Sequence, residues 1–227
     1  MRRLQACYPT RKLLLIPGNA DNLGKVYIVD DDRDFLASLV FLLSKADLNC
    51  VPFHSAEDFL AAPIEVGPAC LILDQAMPLM SGMELFRELK LRNYRKPIAF
   101  LTAVGTVPSA VEAIKLGAAE FLEKPIEPSE LIERVKQYLE SDRQAMIRAS
   151  AVEEFEKKFK TLTAREFEIG MLVRDGLLSK QIASRLGLSI KTIEVHRSHI
   201  SKKLGAKSAA QLLHLLSQMN RPQLDSE

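Results

Sequence analysis

The sequence predicts two units of different class: a doubly wound α/β domain built on a five-stranded parallel sheet, then a helical linker and an all-α domain of four short helices. Three observations carry this. Between residues 25 and 140, short apolar runs alternate with amphipathic stretches, the pattern of a parallel sheet covered on both faces. After Lys160 the pattern is helical throughout. Charge divides at the same place: residues 25–140 carry 12 basic and 18 acidic side chains, residues 161–220 carry 9 and 4. A formal net charge of +2 therefore conceals an acidic unit followed by a basic one, and a basic segment of this size suits a polyanion as well as plain solvation.

The bulk properties narrow the function classes. At 227 residues and 47% hydrophobic, the chain accommodates one large core or two ordinary ones, and the pattern favours two. No apolar run approaches the roughly 18 residues that span a bilayer, so no membrane partner is expected. Near the N-terminus, Leu13 to Ile16 is stopped by Pro17 and Gly18. Arg2, Arg3, Arg11 and Lys12 flank too short an apolar core for a signal peptide, and residues 1–24 are expected to be a disordered extension. Cys7, Cys50 and Cys70 are odd in number, far apart and without a C-x-x-C pair, which encodes neither a disulfide framework nor a zinc site and fits a cytoplasmic protein.

In the first unit, strands are expected at Val26–Val29, Cys50–Phe53, Leu71–Leu73, Ile98–Leu101 and Ala119–Leu122. Helices fill the gaps: Phe35, Leu36, Leu39, Val40 and Leu43 keep the 3.6-residue period, as do Leu85 with Leu89, Val111 with Ile114, and Leu131, Val135 and Leu139. Ser55 before Asp58 and Ser81 before Glu84 are start signals, and Gly117 is a stop. Ligands of such sheets sit at the carboxyl edge of the strands. Asp30, Asp31 and Asp32 follow the first strand, Asp74 the third, Thr102 the fourth and Lys124 the fifth. Several carboxylates together require a cation, and an oxygen-only donor set suits Mg²⁺. Lys124 then offers a point charge, and Thr102 a hydroxyl, to phosphoryl oxygens. Taken singly, these residues also read as a helix N-terminal acidic cluster, a strand hydroxyl and a solvated lysine.

Residues 141–160, with Met146, Ile147, Val152, Phe155 and Phe159 among charges and no glycine or proline, read as a helical linker. It serves as a stiff transmitter or as a simple spacer. Beyond it, Thr163 with Glu166, Ser179, Ser189, and Ser208 with Gln211 mark helix starts, and Gly176, Gly187 and Gly205 mark ends. A helix over Ser179–Leu186, a turn at Gly187-Leu188-Ser189 and a longer helix to Leu204 constitute a helix-turn-helix. In the longer helix Ile193, His196, Ile200 and Leu204 face inward, while Lys191, Val195, Ser198 and Lys202 lie on another face. An outward valine between lysines suits a major groove, or packing against another part of the chain. His196 and His199 lack a third ligand for zinc.

The first unit resembles the receiver domain of two-component response regulators, through VDD, LILDQAMPLMSG, LTA and EKP. The intervals of 43, 28 and 22 residues from Asp31 to Asp74, Thr102 and Lys124 match that family. VPSAVEAIKLGAAEFLEKP is similar to the FixJ-type receivers. The resemblance implies a flavodoxin-like strand order 2-1-3-4-5 and a cis Lys124-Pro125 bond. It implies Asp74 as phosphoacceptor from a sensor histidine kinase. Asp31, Asp74 and the Ala76 backbone carbonyl would hold Mg²⁺ directly, and Asp30 through a water. Thr102 and Lys124 would engage the phosphoryl group. Phe121 takes the aromatic switch position, or is simply a core aromatic. Gln75 and Ala76 depart from the usual residues after the acceptor, which bears on the lifetime of the phosphorylated state.

The second unit resembles the LuxR-type DNA-binding domain of the NarL/FixJ regulators, through LTAREFEI and SKQIASRLGLSIKTIEVHRSHISKKLGAKS. This implies promoter DNA as partner, with Glu194, Val195 and Ser198 near bases and Lys180, Thr192, His196, Arg197 and Lys203 near the phosphate backbone, while Lys191 and Lys202 at the margins of the outward face suit phosphates on their own chemistry. Phosphorylation is expected to shift the segment from Val104 to Phe121 and open a homodimerisation face on the fourth helix and fifth strand. RNA polymerase is a further expected partner, and activation the more common outcome in this family. Two rival readings fit the residues less well. Asp30-x-Asp32 is similar to the haloacid-dehalogenase-type phosphatases, but Arg33-Asp34 follows and there is no length for a cap. A receiver that no longer accepts phosphate is poorly motivated, since every key position is present.

Overall fold

The computed structural model describes residues 24–103 and 106–218, and the expected N-terminal extension with Cys7 lies outside them. Strands β1 (Lys25–Val29), β2 (Asn49–Phe53), β3 (Ala69–Leu73), β4 (Ile98–Thr102) and β5 (Glu120–Glu123) alternate with helices α1 (Arg33–Ser44), α2 (Ala56–Ala61), α3 (Gly82–Leu91) and α4 (Val107–Lys115). α5 (Pro128–Lys160) follows β5. All strand pairs are parallel, in the order β2-β1-β3-β4-β5.

The period of two along each strand divides the core between two faces. Val26, Ile28, Cys70, Ile72, Ala99, Leu101 and Leu122 pack with Leu36, Leu39 and Leu43 of α1 and with Leu131, Val135 and Leu139 of α5. Tyr27, Val29, Leu71, Leu73, Ile98 and Phe100 pack with Phe59, Leu85, Phe86, Leu89 and Ala113 from α2, α3 and α4. Each large side chain so buried contributes about 1.5–3 kcal/mol. Every residue of β3 is buried, as a central parallel strand requires.

The start signals at Ser55 and Ser81 act as expected: Ser55 Oγ accepts from Asp58 N–H at 3.1 Å, and Ser81 with Glu84 forms a capping box. Asp32, not marked as a start in the sequence, caps α1, its Oδ1 accepting from the N–H groups of Asp34 and Phe35, both at 3.0 Å. Gly117 ends α4 at φ +87°. Several details differ: β1 and β2 begin one residue, and β3 two residues, before the apolar runs predict. Thr102 is the last residue of β4, because its carbonyl accepts from Lys124 N–H at 2.8 Å and prolongs the ladder. β5 begins one residue later than the apolar run predicts. In α4, Val111 and Ile114 are 45% and 50% exposed, and the buried position is Ala113: the small residue faces the sheet and the larger ones face out.

Residues 141–160 are the second half of α5, with no break from Pro128. Asp142 in this stretch is buried and belongs to the first unit: it accepts from Ala69 N–H at 2.9 Å and Lys96 Nζ at 2.8 Å. Lys96 also donates to the Gly67 carbonyl at 2.7 Å, so α5 is tied to the start of β3 by a hydrogen-bonded ion pair. The division into compact units falls between Met146 and Ile147.

The second unit contains α6 (Ala164–Arg174), α7 (Ser179–Leu186), α8 (Ile190–Leu204) and α9 (Ala209–Ser217). Ile169, Leu172, Val173, Ile182, Ala183, Ile193, Ile200, Leu204, Leu212 and Leu216 form its core, joined by Phe159 and Leu162. Gly187 and Gly205 close α7 and α8 in left-handed conformations, at φ +65° and +75°. Ser179 is the first helical residue rather than the cap. Leu178 holds the cap position, and its N–H donates to Gln181 Oε1 at 2.8 Å.

Candidate functional site

The sheet register assembles the site. Val29 pairs with Leu73, so Asp30 and Asp74 leave adjacent strands at the same level, fixed by a 2.9 Å bond from Asp74 N–H to the Val29 carbonyl. The Thr102–Lys124 backbone bond brings the fourth and fifth strands to the same edge. Asp30, Asp74 and Thr102 are 3%, 6% and 0% exposed. Lys124 reaches between the carboxylates, Nζ donating to Asp30 Oδ2 at 2.7 Å and to Asp74 Oδ1 at 2.9 Å. Burial raises the pKa of Asp30, against the lowering effect of Lys124 and the Asp32 N–H. For Lys124, burial acts to lower the pKa, but the bonds to Asp30 and Asp74 prevail and raise it, holding the ammonium charged.

The other oxygen of Asp74 is fixed from its own loop, Oδ2 accepting from Ala76 N–H at 2.6 Å. This loop folds back onto the start of α3, where Gly82 N–H donates to the Gln75 carbonyl at 3.0 Å. A Cβ at Gly82 would lie 2.0 Å from the Asp74 carbonyl oxygen, so only glycine permits the approach. Sequence reasoning passed over Gly82 as a positioning residue, although it ends the quoted LILDQAMPLMSG. Gln75 Oε1 is buried without a protein hydrogen-bond partner. Phe121 is half-buried, its ring 5.5 Å from that of Phe100 in the core.

Asp31 and Ala76 are exposed at the mouth of the same edge, next to buried Asp30 and Asp74. Among the described residues, no three Asp, Glu, His or Cys side chains form a ready metal cluster. Mg²⁺ does not require one, since it takes one or two carboxylates and retains waters for phosphate to replace. The oxygen-only donors, with Asp74 buried and Asp31 open at the same sheet edge, fit that ion.

In the second unit, α8 exposes Lys191, Glu194, Val195, Ser198 and Lys202, with Val195 47% exposed; Lys180 is exposed on α7. Thr192 lies in the first turn, where Ser189 Oγ accepts its N–H at 3.0 Å. Arg197 donates to Ser179 Oγ at 3.3 Å, joining the two helices. His196 is half-buried, and its Nδ1 is buried without a protein partner. Lys203 departs from the expectation of an ammonium free for phosphate: Nζ donates to buried Glu166 Oε2 at 2.5 Å and to the Thr161 carbonyl at 3.0 Å. Lys203 and the Thr163 N–H hold the Glu166 carboxyl down to about 2.

Residues 26–136 match the response regulator receiver domain family, and residues 160–216 match the bacterial regulatory proteins of the luxR family. The transcriptional regulatory protein TdiR of Thauera aromatica is 37% identical over 195 residues, covering 86% of each chain. The chain belongs to the FixJ-type response regulators. FixJ of Azorhizobium caulinodans is 36% identical over 190 residues, covering 84% of this regulator and 90% of FixJ. Response regulator StyR has a solved structure with a TM-score of 0.79 at 37% identity, covering 86% of this chain and 98% of that one. The protein is thus a response regulator transcription factor with a receiver and a LuxR-type DNA-binding domain, of a family that works with histidine kinases and in which phosphorylation and magnesium are general. No helix among its described residues is long and apolar enough to cross a membrane.

Proposed function

We propose that Asp74 accepts a phosphoryl group from a phosphohistidine of a sensor kinase, and that this controls DNA binding by the second unit. A carboxylate oxygen of Asp74 bonds to phosphorus as the P–N bond breaks, and the departing nitrogen keeps the electron pair. The observation that carries the reading is the placement of Lys124 Nζ within 2.9 Å of both Asp30 and Asp74 at the carboxyl edge of the sheet. That ammonium is held where phosphoryl oxygens arrive and compensates their charge. Asp31, Asp74 and the Ala76 carbonyl would hold Mg²⁺ directly and Asp30 through a water, and the ion would supply further charge stabilisation. Buried Thr102 gives its hydroxyl to the acyl phosphate. The receiver assists only its own phosphorylation and dephosphorylation, and no other turnover is assigned to it.

The output follows from the outward face of α4. Val111 and Ile114, with Ala110, Lys115, Glu120 and Phe121, line a groove of about 410 Å³ beside β5, which supports homodimerisation through α4 and β5. Movement of Thr102 toward the phosphoryl group and of Phe121 inward couples the site to that face. A shift from 1:99 to 99:1 requires about 5.5 kcal/mol of preference for the active state, shared between the new phosphoryl bonds and dimerisation on DNA. The dimer reads paired promoter half-sites about one helical turn or more apart. Glu194, Val195 and Ser198 face bases, while Lys180, Lys191, Thr192, His196, Arg197 and Lys202 face phosphates. The reading places the protein in the cytoplasm, with activation through RNA polymerase as its outcome. Its receiver is residues 25–140, extended by the stretch through Asp142 that packs on it, and its DNA-binding domain is 161–227. Intact mass after incubation with acetyl phosphate and Mg²⁺ tests it: one adduct of about 80 Da, absent in Asp74→Asn, is expected. Failure of the wild type to gain mass at any Mg²⁺ concentration contradicts it.

A further inference from the structure

The Lys124 ammonium has three N–H donors, and two of them meet Asp30 and Asp74. On another side lies the ring of Phe35, its centroid 3.8 Å from Nζ, well inside the roughly 6 Å reach of a cation–π contact. The ring is placed by the cap of α1, since Asp32 Oδ1 holds the Phe35 N–H at 3.0 Å. Phe35 and Lys124 also line one cavity of about 170 Å³, together with Ser38, Leu42, Ile126 and Leu131.

We propose that Phe35 is a positioning residue for phosphotransfer, whose ring face holds the Lys124 ammonium toward Asp74 and keeps water from its third donor. This rests on the assignment of Asp74 as phosphoacceptor. A ring face attracts the cation through its quadrupole yet makes no directed hydrogen bond that must be broken. The ammonium can therefore turn its third donor from the ring to a phosphoryl oxygen as it arrives, with no hydrogen bond to water to break first. An aliphatic side chain of similar size fills the space but lacks the quadrupole, and a smaller one extends the adjoining cavity to the ammonium.

The test is the rate of Asp74 phosphorylation by acetyl phosphate with Mg²⁺ in the full chain, read by intact mass. Phe35→Leu is expected to slow the reaction about tenfold, and Phe35→Tyr to hold it within about twofold, with helix content unchanged by circular dichroism. Adding Phe35→Leu to Lys124→Ala is expected to change nothing further, because the ring acts through the ammonium. Independently of any activity, the Lys124 side-chain ε protons are expected to show a ring-current upfield shift that Phe35→Leu abolishes. Wild-type rate in Phe35→Leu, an unshifted Lys124 resonance, or an equal slowing in the Lys124→Ala background overturns the proposal while the wild-type adduct leaves Asp74 phosphorylation standing. Absence of the wild-type adduct removes the phosphoacceptor assignment and this proposal with it.

Discussion

Replacing Lys203 by methionine strands the Glu166 carboxylate, which is only 4% exposed, without its cation. Removing one partner of a buried pair costs about 3–5 kcal/mol. The lysine side chain is 33% exposed, so solvent screening reduces the expected loss to about 2–3 kcal/mol. Glu166→Gln is milder, since the amide still accepts from Thr163 N–H and Lys203 can turn to water. A charge-assisted bond becomes a neutral one at about 1–2 kcal/mol. Lys203→Met with Glu166→Gln removes both charges while the amide oxygen still accepts from Thr163 N–H, and is expected within about 1 kcal/mol of wild type. The pH dependence has a definite sign. Glu166 is held from its usual 4.5 down to about 2; a lowered carboxyl pKa stabilises the fold above the unfolded value, and that contribution disappears as pH falls from 4.5 toward 2. Native-state hydrogen exchange at the buried amides of Ile169 and Ile200 isolates the second unit from the first. A double variant less stable than Lys203→Met, or a Lys203→Met loss below that of Glu166→Gln, refutes the reasoning.

Further outcomes follow from the same geometry. Gly82→Ala forces a Cβ against the Asp74 carbonyl oxygen at 2.0 Å; it is expected to cost about 1–3 kcal/mol in thermal unfolding and to slow acetyl-phosphate labelling. Lys191→Gln is expected to lower the salt slope of DNA binding by about 1; Lys203→Met, whose ammonium is already paired with Glu166, is expected to leave the slope nearly unchanged. Ile114→Glu places a charge in the groove beside β5, and sedimentation is expected to show a phosphorylated protein that stays monomeric while still gaining phosphoryl mass.

The parts of this structure legible in the sequence are those set by local chemistry. Ser55, Ser81 and Thr163 cap helices because a side-chain oxygen three residues before a free N–H closes the ring whatever surrounds it. Five apolar runs give five strands for similar reasons. Contacts between distant residues were less legible. Periodicity placed Val111 and Ile114 on a helix but not on its outward face, because the opposite face is covered at a single small residue, Ala113. Lys203 read as a phosphate contact because its partner, Glu166, read only as a capping residue; it performs both tasks, accepting from Thr163 N–H at 2.8 Å and from Lys203 at 2.5 Å. Asp142 carried no signal, since a lone aspartate in a charged helix looks solvated until Ala69 and Lys96 are found against it. Around Asp74 the spacing located Asp30, Thr102 and Lys124, whereas Gly82 and the ring of Phe35 emerge only from the packing.

The central claim is that phosphorylation of Asp74 controls DNA binding, and the most direct measurement is promoter-fragment binding by wild type and Asp74→Asn at one fixed salt concentration, with and without acetyl phosphate and Mg²⁺. The account predicts that phosphorylation raises wild-type affinity together with the dimer fraction in sedimentation, and that Asp74→Asn responds in neither. Wild-type binding unchanged on full phosphorylation, or an equal response in Asp74→Asn, contradicts it.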